Sequence, residues 1–528
     1  MPELSRSWNP GLRPALIALP SGFLLALAFP PFNIWPIVFI ALLPLWYFAS
    51  RLTPGKAFMA GWLLGIGLYL GSMYWLCYVM VNFGGLPWPL AIVVLLLFCL
   101  YLGLYYALTT YLAGRLLLLK IPLWLSVPLL WLGLEYLRGI ALTGFPWLPL
   151  SLSLSSFPPL LQSAAWWGAL GVSACIVLVS VLLAYVCKLA GSLAWPPRIV
   201  CGLLALLMLA GGTGLGQLAV INMETQPQPL ARLSVVQANI GLDRLWKRDL
   251  RGQNVMQQIT LTRKAAAQAA QMNVQQPWLV LWSESAAPFA FLYDMESSAP
   301  ILRTARDVNA FLAIGTTGFI EADGQMKHAN RMYMINPDGQ PADFYDKVHL
   351  VPFGEYVPLA KVLFFVRAIA ALSIDMAPGQ AGKLLAADEI EAGPLICYES
   401  IFPELARAHR LNGANLLLNP TNDAWFGPTG ASSQHLGHLV LRAVENRISC
   451  VRAANTGISC FIMPNGRVLQ ETALFNSDVR TQELPLWQEA TFYSKYGDMI
   501  DQGGLIVLSL ALVYIIIASR RSRNGNTK

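Results

Sequence analysis

Carboxylates are almost absent from the first 221 residues, where Glu3 and Glu135 are the only two. Over all 528 residues, 12% are charged and 55% hydrophobic, with a mean hydropathy of +0.51. Soluble domains run near a quarter charged, so this scarcity excludes a wholly soluble chain and indicates an integral membrane protein. The eight cysteines show no C-x-x-C and no disulfide spacing, which argues against a redox motif or a disulfide scaffold. Histidine is scarce too. His435 and His438 lie three apart on one helical stretch, but the segment offers no third ligand, so no metal is expected. The net charge of +7 is modest and sits largely on loops and the C-terminal tail. It reads as membrane topology, with no nucleic-acid partner.

What is present in the first half is a series of apolar runs of bilayer length. They fall near 12–30, 34–50, 57–80, 88–114, 122–138, 165–187 and 198–220, with an eighth near 503–519. The first could be a signal peptide, since Arg6 and Arg13 precede it and Ala26-Leu27-Ala28 is a small-x-small site. The uncleaved reading is preferred. Arg6 and Arg13, Arg51 and Lys56, Arg115 and Lys120, and Lys188 and Arg198 occupy alternate connections, and Arg520-Arg521-Ser522-Arg523 joins the same set. Positive residues stay inside, so both termini are expected in the cytoplasm and the long polar segment outside. The expected division is a seven-helix membrane domain at 1–222, an outer domain at 229–490, an eighth helix at 500–520 and a basic tail at 521–528.

Two features interrupt the apolar half. Glu135 and Arg138 stand three apart at the outer end of the fifth span, either as substrate contacts or as a pair satisfying itself on one helix face. Gly211-Gly212-Thr213-Gly214-Leu215-Gly216 has the glycine density of a phosphate loop but lies inside an apolar run, so close helix packing is expected.

From Leu230 the texture becomes that of an α/β domain. Strands are expected at 233–240, 278–282, 311–316, 331–336, 394–398, 415–419 and 458–463, with helices around 251–272, 299–309, 402–411 and 431–449. Cys397 ends one apolar run, Glu284 follows another, and Lys347 lies in Asp346-Lys347-Val348-His349-Leu350. Singly, each has a plain structural explanation: a buried thiol, a strand-end carboxylate, a solvated lysine. Together they supply a nucleophile, a base and a fixed positive charge. Burial beside Trp282 and Pro288 would make Glu284 basic enough to take the Cys397 proton. Lys347 and the backbone N–H of Tyr398 would meet the developing oxyanion, with Glu355 orienting Lys347 or assisting proton transfer.

The order Glu284, Lys347, Cys397 resembles the nitrilase superfamily. Asp346-Lys347-Val348-His349-Leu350-Val351-Pro352-Phe353-Gly354-Glu355-Tyr356-Val357-Pro358 and Ile396-Cys397-Tyr398-Glu399 look like its lysine and cysteine motifs. Asn419-Pro420-Thr421-Asn422-Asp423-Ala424-Trp425-Phe426-Gly427 and Arg452-Ala453-Ala454-Asn455-Thr456-Gly457 fit its later segments. Joined to eight apolar spans, these motifs are similar to the membrane-embedded apolipoprotein N-acyltransferase branch, over nearly the whole chain. The resemblance implies an αββα sandwich beside the eight transmembrane helices, and a bacterial inner-membrane enzyme acting as a monomer. It implies a ping-pong transfer, without metal, ATP or other cofactor. An acyl chain would move from the sn-1 position of a phospholipid, such as phosphatidylethanolamine, through a Cys397 thioester to the N-terminal amine of a diacylglyceryl lipoprotein. Glu355, Tyr398 and Glu399 are its supporting residues, and Trp246 matches a position near its acyl pocket.

Lipid substrates require a site that opens at the bilayer. The stretch 358–376, with Phe364 and Phe365, is apolar enough to form a lid or acyl guide at the outer leaflet, or alternatively a packed core helix. Residues 286–292 could form the facing wall. Two rivals are a membrane-tethered amidase, which needs far fewer spans, and a transporter whose outer domain does no chemistry, which leaves the Glu284, Lys347, Cys397 and Glu355 set unexplained.

Overall fold

The computed structural model describes residues 12–191, 193–272, 278–322, 324–357 and 376–525. The chain forms two compact units. One comprises Met1–Tyr78, Pro87–Ala219 and Tyr496–Lys528; the other comprises Val79–Leu86 and Val220–Lys495.

The first unit is helical because its sequence leaves no alternative. In hydrocarbon, backbone groups must bond within their own segment. Among the described residues, five helices are long and apolar enough to cross a membrane: Trp88–Leu118, Leu123–Thr143, Ala164–Val186, Trp195–Thr225 and Phe492–Arg521. Pro54–Met73 and Trp75–Asn82, bent by 54° at their junction, make a sixth if counted as one span. The segments expected as the first two spans hold shorter apolar helices, Pro14–Ala26 and Ile37–Arg51. The reason is local. Pro30, Pro31 and Pro36 break the backbone ladder around this region. Polar side chains pin neighbouring helices: the Trp46 indole donates to Ser180 at 2.8 Å, and the Thr110 hydroxyl to the Ala57 carbonyl at 3.0 Å. Of the glycine-rich run, Gly216 packs so closely on the Pro159 carbonyl that any Cβ would collide with it.

The second unit contains two sheets. Strands β1 (Leu230–Gln237), β2 (Trp278–Trp282), β3 (Ala287–Ala290), β4 (Phe311–Ala322), β5 (Gln325–Ile335) and β6 (Pro341–Asp346) build the first, completed by β13 (Asp478–Pro485). Its order is β13-β1-β2-β4-β5-β6, with β3 beside β4. The second sheet runs β12-β11-β10-β9-β8-β7, from β7 (Leu385–Ala387), β8 (Ile390–Pro394), β9 (Leu416–Thr421), β10 (Ser449–Ala454), β11 (Cys460–Ile462) and β12 (Val468–Leu469). Alternation along each strand divides the core. Leu279 and Leu281 face the second sheet, in one cluster with Leu416, Leu418 and Val451. Val280 and Trp282 face helices α1 (Arg251–Ala269) and α2 (Met295–Val308), against Val255, Ile259 and Ile301. Helices α3 (Pro403–Leu411) and α4 (Ala431–Asn446) pack on the second sheet. The result is an αββα sandwich.

Candidate active site

Parallel pairing decides where the functional side chains go. Strands β1, β2 and β4 run parallel, and two antiparallel steps bring β6 back to the same direction. Strands β8, β9 and β10 are likewise parallel. Glu284 therefore follows the carboxyl end of β2, Lys347 that of β6, Cys397 that of β8 and Asn422 that of β9.

These ends meet. Lys347 Nζ lies 2.8 Å from Glu355 Oε1 and 3.4 Å from Glu284 Oε1, with the three side chains 1%, 13% and 8% exposed. A single ammonium is thus shared by two buried carboxylates. The Cys397 thiol is close enough to feel Glu284 and Lys347, and the Thr421 hydroxyl reaches it. Burial and then the Glu284 charge raise the thiol pKa well above the usual range, while Lys347 pulls it down. The sulfur is thus held as a thiol, so any attack through it would require its proton to leave. Burial works against the Lys347 ammonium, but Glu355, Glu284 and Cys397 outweigh it and hold its pKa above the ordinary lysine value.

Backbone conformation supports this geometry. Ser285 (φ 53°), directly after Glu284, Phe353 (φ 62°), two before Glu355, and Cys397 itself (φ 52°) occupy the left-handed region. Gly315 on β4 lets the Glu284 turn approach, since a Cβ there would collide with Ser283 and Ser285 backbone atoms. The strand expected at 394–398 is corrected. It ends at Pro394, and Cys397 instead opens a 3₁₀ turn, Cys397–Ile401. Glu399 explains the switch, because its Oε2 takes the Ile396 N–H at 2.7 Å and closes the turn.

Glu399 does more than cap. Its Oε1 accepts from the Tyr345 hydroxyl at 3.1 Å and from the N–H groups of Val348 (2.6 Å) and His349 (3.1 Å). It thereby ties the cysteine turn to the lysine loop. Burial pushes its pKa up to about 7, against Lys347 and the three backbone donors. Burial and Lys347 likewise depress His349 to about 4.

Two further residues complete the cluster: Asn330, which lies in none of the motifs, and Asn422, which lies in one of the later segments. Asn330 Nδ2 donates to Glu284 Oε1 at 2.7 Å and to Glu355 Oε1 at 3.2 Å, so it bridges the two carboxylates. The Asn422 N–H donates to Glu284 Oε2 at 3.0 Å. Asn330 sits mid-strand in an alternating segment, and only pairing of β5 with β6 places it beside Lys347.

The other candidate residues lie elsewhere. Trp246 is half exposed on the turn after Leu242–Leu245. Phe364 and Phe365, with nearly all of 358–376, fall outside the described residues. Glu135 and Arg138 are buried in the helical unit, 3.6 Å apart, with Arg138 also bonded to the Tyr69 hydroxyl. Glu135 accepts the Leu150 N–H at 3.1 Å, and the adjoining cavity is about 10 Å³, room for one water. Among the described residues, no group of three or more His, Cys, Asp and Glu side chains could hold a metal ion.

Residues 21–182 match the apolipoprotein N-acyltransferase N-terminal domain family, and residues 232–491 match the carbon-nitrogen hydrolase family. An apolipoprotein N-acyltransferase from Geobacter metallireducens is 38% identical over 511 residues, covering 94% of this chain and 95% of that one. One from Azotobacter vinelandii is 32% identical, covering 98% of both chains. Among solved structures, a carbon-nitrogen hydrolase from Helicobacter pylori aligns over 52% of this chain and 93% of its own, at 16% identity and a TM-score of 0.36. With a relative 38% identical along almost its full length, the chain belongs to the apolipoprotein N-acyltransferase family.

Proposed function

We propose that this membrane acyltransferase moves an acyl chain from the sn-1 position of a phospholipid, phosphatidylethanolamine in particular, to the N-terminal amine of an S-diacylglyceryl-cysteine lipoprotein. This is the last step of lipoprotein maturation, and it runs through a thioester on Cys397. The observation that carries the reading is the shared Lys347 ammonium, held between Glu284 and Glu355 beside a buried thiol.

Each step assigns one task per residue. Glu284 takes the Cys397 proton as sulfur attacks the ester carbonyl. Lys347 and the Tyr398 N–H stabilise the oxyanion, Glu284 returns the proton to the leaving alkoxide, and a lysophospholipid departs. The neutral acceptor amine then attacks the thioester, forming the C–N bond and breaking C–S. Glu284 takes its proton and returns it to the departing thiolate. Glu355 and Asn330 hold Lys347 and Glu284 in register throughout.

The wider arrangement proposed has eight membrane crossings, with the short helices Pro14–Ala26 and Ile37–Arg51 supplying the first two. Both termini would then lie in the cytoplasm and the sandwich, 229–490, outside the inner membrane of a bacterium. The apolar stretch 358–376 would serve as the acyl guide. Trp246 would face the acyl chain, and the Glu135–Arg138 pair would either touch substrate or hold helices of the membrane unit together.

The test is direct. Purified protein is incubated with phosphatidylethanolamine, and a hydroxylamine-sensitive acyl adduct is sought on Cys397 by mass spectrometry. A diacylglyceryl peptide is then added. The adduct should form, vanish from Cys397→Ala, and move to the peptide amine. No adduct, or one that survives Cys397→Ala, defeats the mechanism; an adduct released only to water favours an amidase.

A further inference from the structure

Cys397 opens its turn at φ 52°. A non-glycine residue keeps that conformation only where its surroundings impose it. Here three donors converge on the Cys397 carbonyl: Ser400 Oγ at 3.1 Å, Asn419 Nδ2 at 3.3 Å and His435 Nε2 at 3.0 Å. Ser400 belongs to the turn itself. Asn419 and His435 come from β9 and α4, and both are fully buried.

These two are locked in turn by an ion pair. Arg452 on β10 donates to Asp423 Oδ2 at 2.7 Å and to Asn419 Oδ1 at 2.5 Å. Asp423 Oδ1 takes the Thr421 hydroxyl at 2.9 Å and lies 3.2 Å from His435 Nδ1, which is also 3.1 Å from the Arg452 guanidinium. A carbonyl oxygen can only accept, so His435 must carry its hydrogen on Nε2. Asp423 and Arg452 cancel each other's charge and leave the imidazole neutral. Burial and then Arg452 depress the His435 pKa in the same sense. The ring is therefore a fixed Nε2–H donor, aimed at the main chain of the thiol-bearing residue.

We propose that His435 is a positioning residue for acyl transfer: its Nε2–H, with the Asn419 amide, holds the Cys397 carbonyl in the interior. It thereby locks the left-handed backbone that presents the thiol to Glu284. The inference rests on Cys397 being the nucleophile. It is directional, which separates it from packing: what counts is a donor at the Nε2 position. Glutamine can place an amide N–H there. Asparagine, one methylene shorter, keeps polar contact with Asp423 and Arg452 but falls short of the carbonyl.

The experiment uses the full chain in detergent micelles with phosphatidylethanolamine. It follows single-turnover acylation of Cys397 against donor concentration, and iodoacetamide alkylation of Cys397 across pH, both by mass spectrometry. His435→Asn should slow acylation about 100-fold at unchanged half-saturating donor, the scale of a small misplacement of reacting atoms. His435→Gln should stay within about tenfold of the unsubstituted protein, and alkylation should rank the variants in the same order. Equal rates in the two variants, a His435→Asn protein as fast as the unsubstituted one, or failure of His435→Gln to fold would each overturn the proposal. An unsubstituted protein that forms no acyl adduct would overturn the Cys397 reading beneath it.

Discussion

Two of the buried ionic clusters, one in each unit, differ in charge balance. In the helical unit, Glu135 faces Arg138, one negative group against one positive, with the Tyr69 hydroxyl on Arg138 and the Leu150 N–H on Glu135. In the sandwich, Lys347 faces both Glu284 and Glu355, and a thiol lies beside them. The first cluster is balanced, one buried acid against one buried base. The second sets two carboxylates against one ammonium, with a thiol as neighbour. A matched buried pair has a plain structural use, whereas an unmatched acid beside a thiol is a candidate for acid–base work.

Breaking the sandwich cluster should have the largest effect. Glu284→Gln keeps the shape and removes the base, so Cys397 acylation should fall by roughly 10³-fold, within the range for losing a general base. A change under tenfold would show that another group takes the proton. Next comes the balanced pair. Arg138→Leu strands Glu135 in an apolar surrounding and should cost about 3 kcal/mol, read as a lower melting temperature. Replacing both, Glu135→Leu with Arg138→Leu, should recover much of that loss. If the double variant is no better than the single one, the two groups are not coupled.

A buried base without a catalytic part sharpens the contrast. Burial holds His409 at a pKa of about 4. As pH falls below the ordinary imidazole value, the unfolded chain takes up a proton that the folded chain refuses. Acidification therefore destabilises the fold, by roughly 2 kcal/mol between pH 7 and 5, and stability recovers as pH rises. His409→Leu should flatten that slope; an unchanged slope assigns the acid sensitivity elsewhere. The smallest effect is expected from Glu355→Gln, which keeps a polar contact to Lys347 while removing the excess charge. Acylation should slow about tenfold, and a larger loss would make Glu355 an equal partner in proton transfer.

Much of this could be read from the residues in order. Strand β2 was expected at its observed bounds, because Trp278 to Trp282 is an unbroken apolar run closed by polar residues. The helix expected around 431–449 is observed at Ala431–Asn446, since left-handed Arg447 ends it and β10 begins at Ser449. Strand β6 had no comparable signal, since Pro341-Ala342-Asp343-Phe344-Tyr345-Asp346 is mixed in polarity and is held by pairing with β5. The shortness of the two helices near the N-terminus was not legible, because hydropathy counts apolar residues and does not register where prolines interrupt the ladder.

Composition alone determined that this chain enters a membrane, and the runs around Glu284, Lys347 and Cys397 singled out the side chains to which the proposal assigns chemistry. That follows from local physics: hydropathy and motif spacing are properties of short segments. Tertiary structure alone decided that Asn330 bridges two carboxylates, that Glu399 ties the cysteine turn to the lysine loop, and that His435 reaches the Cys397 carbonyl from a helix 38 residues away. Those contacts join residues far apart in sequence, and only the pairing of strands and the docking of helices brings them within bonding distance.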